Sequence, residues 1–103
     1  VIELTEAEQL EEHFRKFDEF KNLALQGGSD YSEQIFSNIP ETIDVRGAYY
    51  SCSNSNCFVD FPVSKNNPDE VMDYFSSLNL WPNSIKWIEI RNDQFEINFI
   101  KTE

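Results

Sequence analysis

Leu10, Phe14 and Phe17 recur at i, i+4 and i+7, and Phe20, Leu23 and Ala24 extend the same stripe. That period predicts one long amphipathic helix from Thr5 to Leu25. Thr5 and Glu8 have capping-box spacing, acidic residues crowd the first turns, and Gly27-Gly28 ends the run. The opposite face carries Glu8, Glu11, Glu12, Arg15 and Glu19, as a solvated face does. Residues 29–39 are ambiguous: Ser29 or Asp30 can cap a short helix through Ser37, and Pro40 forbids its continuation.

The period then changes to two. Ile43, Val45 and Tyr49 alternate with Thr42, Asp44 and Arg46, predicting a strand over 42–51 with a bulge or close approach at Gly47. A second strand, 57–63, places Val59, Phe61 and Val63 on one face. Asn67 as N-cap, Pro68 at the first helical position and Glu70 at the third open a second main helix over 68–78. Val71, Phe75 and Leu78 form its stripe, with Met72 beside them, and residues 80–83 form a loop. Residues 85–91 and 94–101 read as strands joined at Asn92-Asp93, with Phe95, Ile97 and Phe99 alternating against Gln94, Glu96 and Asn98. The order is helix, possible short helix, hairpin over 42–63, helix, hairpin over 85–101. It predicts a single α+β domain over 1–103, with two main helices packed on one face of a mainly antiparallel sheet of about four strands.

Composition supports a packed core rather than disorder: 40% of the 103 residues are hydrophobic and 15% aromatic. The formal charge is -11, from 19 acidic against 8 basic residues. Such a surface repels phosphate backbones and anionic lipid, so direct nucleic-acid or membrane-surface binding is disfavoured and a basic partner is steered in. Solubility alone is the plainer role of that charge. No apolar run approaches the ~20 residues of a membrane span. The first residue is Val1, as expected of a chain whose targeting segment has been removed or of one trimmed at that point.

Both cysteines lie in YYSCSNSNCFVDF, residues 49–61. The flanking segments read as hairpin arms and Ser53-Asn54-Ser55-Asn56 as the tip. Facing residues of a non-hydrogen-bonded pair can form a disulfide, so Cys52–Cys57 is the expected bridge. Two free thiols in a reducing cell are the alternative. A structural zinc site needs four ligands, and His13 is the only histidine; the spacing is also wider than a redox Cys-x-x-Cys. A bridge closing so short a loop is worth about 2 kcal/mol. Its local effect is either to hold the tip and its neighbours Tyr49 and Tyr50 in one shape for docking, or simply to brace the hairpin. A real bridge favours an exported, oxidising location.

Catalytic chemistry finds little support. No serine sits in a nucleophile turn, no glycine-rich phosphate loop exists, and no Asp-x-Asp-x-Asp-Gly calcium loop appears. His13 reads as a boundary residue of the first helix. Nineteen acids guarantee carboxylate pairs at useful distances, so pairing carries no specificity. Trp81 and Trp87 can stack on a sugar or a partner, or fill the core. The expected function is therefore a binding module without cofactor or metal that blocks another protein, with Tyr or Trp anchors and acidic steering. Candidate contacts are Tyr49, Tyr50, Ser53, Asn54, Ser55 and Asn56 at the hairpin, Trp81, and Glu8, Glu11 and Glu12 on the first helix.

In general profile the chain resembles the periplasmic immunity proteins that bacteria pair with type VI secretion effectors. The acidic α+β layout over the whole chain, the Cys52–Cys57 pair and Val1 as a mature start carry the resemblance. Those proteins share no common motif, so no family residue is transferred. The resemblance implies a cognate effector that degrades cell wall, such as a lysozyme-like muramidase, blocked by occlusion of its cleft in the periplasm, and a possible homodimer. The alternative is a cytoplasmic inhibitor: a nuclease-toxin immunity protein, or a DNA mimic using Glu3, Glu6, Glu8, Glu11 and Glu12, a track that Arg15, Lys16 and Lys21 interrupt. A small enzyme relying on two carboxylates is the third reading.

Overall fold

The protein's structure, a computed structural model, describes residues 5–102. Glu3 of the acidic track lies outside them. Helix α1 spans Glu6–Leu25. Thr5 caps it as expected: the Glu8 N–H donates to Thr5 Oγ1 at 3.2 Å, and the Thr5 hydroxyl donates to Glu8 Oε1 at 3.0 Å. Gly27, at φ 74°, takes the left-handed conformation that turns the chain out of the helix.

Helix α2 is a short piece, Ser32–Phe36. Asp30 acts at its start, since Asp30 Oδ1 accepts the Ser32 N–H at 2.9 Å, although Tyr31 occupies the cap position itself. Strand β1 covers only Tyr49–Cys52, not 42–51. The preceding residues satisfy their backbone groups by turns. Ile43 N–H donates to Pro40 O, Arg46 N–H to the Asp44 carboxylate, and Ala48 N–H to Val45 O, each at 2.9–3.0 Å. Asn66 completes the arrangement by accepting from Asp44 N–H and donating to Asp44 O. Ile43 still reaches the core, which explains why its alternation imitated a strand.

Strand β2, Asn56–Pro62, follows the hairpin. Helix α3, Pro68–Ser77, begins as its sequence dictates, with Asn67 Oδ1 accepting from the Asp69 and Glu70 N–H groups. Strands β3, Ser84–Arg91, and β4, Gln94–Lys101, close on Asn92-Asp93, at φ 55° and 61°. That pair of positive φ values belongs to the tight hairpin turn whose twist matches its strands. The sheet order is β1-β2-β4-β3, with every neighbouring pair antiparallel.

The α+β class and the four-stranded sheet match the expectation; the placement of the helices does not. Cys57, Val59, Phe61, Phe95, Ile97 and Phe99 point to one face and form the main core with Val71 and Phe75 of α3, Ile35 of α2, Ile43 and Trp81. Phe58 points to the other face, where it packs with Phe17 and Ala24 of α1 and with Trp87. The helices therefore lie on both faces, α1 on one and α2 with α3 on the other. The reason is that β2 is apolar on consecutive positions, Cys57-Phe58-Val59, so both of its faces need cover.

Helix α1 crosses the strands in the order of the sheet. Ala24 O accepts the Ser51 hydroxyl of β1 at 2.9 Å, and Lys21 Nζ lies 4.9 Å from the Phe58 ring of β2. Phe17 O accepts Asn98 Nδ2 of β4 at 3.1 Å, and His13 meets Glu89 of β3 at 2.5 Å. The first two turns have passed the sheet by then. Leu10, expected in the buried stripe, is 56% exposed for that reason.

Candidate partner-binding surface

The stapled hairpin has the expected bridge: Cys52 and Cys57 face each other across β1 and β2 and are disulfide-bonded, with Cα atoms 4.1 Å apart. The tip is held on three sides. Ser53 N–H donates to Asn56 O at 2.7 Å, Ser29 N–H donates to Cys52 O at 3.2 Å, and Lys101 N–H donates to Ser55 O at 2.8 Å. The Ser29 hydroxyl adds a bond to Asn54 Oδ1 at 2.6 Å. The bridge itself is buried.

Few of the residues expected to meet a partner are presented. Asn54, Ser55 and Tyr49 are exposed, and Ser53 is half-buried. Asn56 is buried, with its side-chain oxygen accepting the Ser55 hydroxyl at 2.9 Å. The Tyr50 hydroxyl accepts the Tyr31 N–H and donates to Asp30, and its ring meets Phe36 edge-on. Burial pushes its phenol above the usual value. Trp81 is a core residue, only 8% exposed, with its Nε1–H directed to the Tyr31 hydroxyl at 3.4 Å. Tyr50 and Trp81 thus anchor residues 29–36 to the body of the protein; no partner can use the Trp81 ring without opening the core.

On α1, Glu8 and Glu11 are exposed. Arg15 bridges Glu12 and Glu19, and its hydrogen bond holds the Glu12 carboxyl below the usual range. These pairs on an exposed helix face add little stability. Their consequence is electrostatic: Arg15 is already occupied, and the turns before it carry carboxylates alone.

Beneath α1 lies a polar layer that the alternation of residues 94–101 does not by itself reveal. Arg91 joins Asp18 at 2.6 Å and Glu96 at 2.8 Å, and its guanidinium sits 4.9 Å from the Phe14 ring. These two carboxylates push its pKa above the usual value. Lys21 approaches Glu96 at 3.6 Å. Glu89 Oε1 accepts both His13 Nε2–H and Trp87 Nε1–H, at 2.5 and 2.7 Å. Asn98 is fully buried; its Nδ2 caps the Phe17 carbonyl, while its Oδ1 has no partner among the described residues. The charged groups in this layer meet opposite charges or donors, Asp60 through the Tyr49 N–H and Lys21, so the layer locks the helix to the sheet. Burial raises the Asp60 carboxyl above its ordinary value. Among the described residues, no three His, Cys, Asp or Glu side chains are placed to hold a metal ion. No described helix is long and apolar enough to cross a membrane.

Two further features frame the surface. A polar groove runs between the end of α2 and the end of α3, lined by Glu33, Gln34, Ser37, Asn38, Leu78 and Asn79. Strand β3 forms one edge of the sheet, with Ile85 and Ile90 each 53% exposed on opposite faces. Sequence reading missed that edge because IKWIEIR alternates apolar residues on both sides and does not reveal which strand lies outermost.

No family model matches the chain, and neither a curated protein nor a solved structure does so.

Proposed function

We propose that the chain is a non-catalytic binding protein that docks onto and blocks a partner enzyme, an acidic inhibitor of the immunity type. The observation that carries this reading is the first half of α1. Its first two turns pass beyond the sheet and expose Glu6, Glu8 and Glu11, and the nearby Arg15 is occupied by Glu12 and Glu19. These carboxylates, on a chain of net charge -11, steer a basic partner and speed its encounter. The disulfide supports an oxidising compartment, and hence a periplasmic or secreted inhibitor over a cytoplasmic one. A cell-wall hydrolase of the lysozyme type is the target class that fits such a compartment. Its basic surface, needed to grip an anionic wall, complements the acidic helix.

The test is inhibition with a defined readout. The protein is immobilised, a secreted-protein fraction of its source is passed over it, and any retained protein is assayed for peptidoglycan hydrolysis with and without the inhibitor. Retention that salt weakens, with stoichiometric loss of hydrolysis, supports the reading. Retention of a nuclease moves the target to the cytoplasmic class. Turnover of glycan by the protein itself overturns the reading.

A further inference from the structure

We propose that the outer edge of β3 and the overhanging start of α1 together take up an extended basic segment of the partner, which adds to the sheet as a fifth strand. The proposal rests on the inhibitor reading and names the surface that would execute it.

The hairpin turn decides which backbone groups of β3 are free. Arg91 pairs with Gln94 around the two-residue turn Asn92-Asp93, so it exchanges hydrogen bonds with β4. By the alternation of an antiparallel ladder, Glu89, Trp87 and Ile85 also bond inward. Ser84, Lys86, Ile88 and Ile90 then turn their N–H and C=O groups outward. Among the described residues, nothing bonds to the backbone of Lys86, Ile88 or Ile90 on that side. A run of unpaired groups along an eight-residue edge strand is a template for strand addition.

The helix supplies a roof over the same place. His13 stands above β3, in contact with Trp87 and Glu89. Leu10 lies three residues earlier on the same stripe, about 4.5 Å further along the axis. Neighbouring strands lie about 4.8 Å apart, so Leu10 overhangs the position that a strand bonded to β3 would occupy. Its 56% exposure is what an apolar roof without a floor gives. Glu6, one turn before Leu10, lies on the same side of the helix, while Glu8, Glu11 and Glu12 lie on its solvated side and add to the local negative field. An incoming strand is therefore bonded along its backbone, covered by one leucine, faced by Glu6 and held in the field of the acidic helix start, which selects a segment with alternating apolar and basic residues. A second copy of this chain is disfavoured as the occupant, because two chains at -11 repel each other.

The experiment is residue-resolved amide exchange, with a synthetic ten-residue alternating Lys/Val peptide as probe and an alternating Glu/Val peptide as control. Slowing of exchange by tenfold or more at Lys86, Ile88 and Ile90 with the basic peptide alone is the expected result. Ile90→Pro, which removes one outward N–H at a position where an edge strand tolerates proline, abolishes the slowing, while Ile90→Thr keeps it. Unchanged exchange at these amides, equal slowing by the acidic peptide, or slowing that grows with protein concentration without peptide overturns the proposal; the last outcome assigns the edge to a second copy. Full inhibition of the captured enzyme by Ile90→Pro refutes the edge as the docking surface while leaving the inhibitor reading intact. Absence of any inhibited partner refutes the inhibitor reading itself.

Discussion

Strands β1 and β3 both close an edge of the same four-stranded sheet, yet the chain treats them in opposite ways. Strand β1 has four residues, is cross-linked to its neighbour by Cys52–Cys57, and meets Ser29 on its outer side. Tyr31 and Asp30 clamp Tyr50 from the same direction. Strand β3 has eight residues and is joined to β4 by its ladder, by the Arg91–Glu96 pair and by Asn92-Asp93; among the described residues, no backbone bond caps its outer side, which the start of α1 overhangs. A long unprotected edge costs a protein resistance to aggregation, so an open edge opposite a short, stapled and partly capped one is a candidate for use. The contrast can be tested from the core outwards.

The largest expected effect lies where the two edges do not differ. Phe61 on β2 is fully buried against Phe75 and Phe95, with ring centroids 5.6 and 5.4 Å away. Phe61→Ala is expected to cost about 3–5 kcal/mol and to leave a domain of this size barely folded, read as loss of the cooperative thermal transition. Ile90→Ala on the open edge is expected to cost well under about 1 kcal/mol, since half of that side chain is already in water. Similar losses at the two positions would mean that the β3 edge is packed and not available.

Next comes the staple. Replacing Cys52 and Cys57 together with Ser removes a bridge that closes a five-residue step, worth about 2 kcal/mol in the chain-entropy model. A fall in Tm of roughly ten degrees, matched by adding reductant to the unaltered protein, is the expected result. Because Ser29, Asn54 and Lys101 also hold the tip, exchange at the β1 amides is expected to stay slow even in the reduced protein. Fraying of β1 on reduction would show that the staple, and not the lacing, shields that edge.

The second hairpin depends on its turn instead. Asn92 and Asp93 hold positive φ, which Asn and Asp tolerate and β-branched residues do not. Asn92→Val is expected to lose about 1–2 kcal/mol. Asp93→Gly is expected to gain a few tenths up to about 1 kcal/mol, both read by denaturant titration. Effects of the opposite sign would mean that the turn adapts and does not define the register of β3.

Much of this arrangement is legible from local chemistry. The caps of α1 and α3, the Asn92-Asp93 turn and the facing cysteines all rest on residues close together in the chain, where spacing is sufficient evidence. What escaped reading depends on distant partners. Ile43 and Val45 alternate as a strand does, but their segment is tied by Asn66, which lies 22 residues from Asp44. Glu96 and Asn98 alternate with Phe95 and Ile97 as a solvent face does. Only Arg91, Lys21 and the Phe17 carbonyl, brought from other elements, allow that polar face to be covered by α1. Trp81 resembles an exposed anchor until Tyr31 is seen beside it. An edge strand cannot be recognised as one from its own residues, because being outermost is a property of the sheet.

The smallest expected effect concerns that covered polar face and is read through pH. Asp60 sits on β2 on the α1 side, in the cross-strand row of Tyr49, Glu96 and Glu89. Burial pushes its carboxyl above the ordinary value of 3.8, and Glu96 adds to the shift, against the opposing pull of the Tyr49 N–H and Lys21. A carboxyl with a raised folded-state pKa makes the folded protein the better proton acceptor. Its charged form therefore opposes folding fully above the raised value, and the penalty disappears as pH falls below the ordinary one. Asp30 and Asp44 behave in the reverse sense: hydrogen bonds from Ser32 and Arg46 lower their pKa values, so any stability they lend is lost as pH falls through those lowered values. Both are exposed and lend little. Asp60→Asn removes only the first of these contributions. It is expected to raise Tm slightly at about pH 7 and to leave it unchanged at about pH 3, where the native carboxyl is already neutral. A gain that persisted at low pH would point to packing and not to charge. A loss at neutral pH would mean that the Lys21 attraction outweighs burial, which would make this side of β2 a balanced ion-pair layer like the one around Arg91.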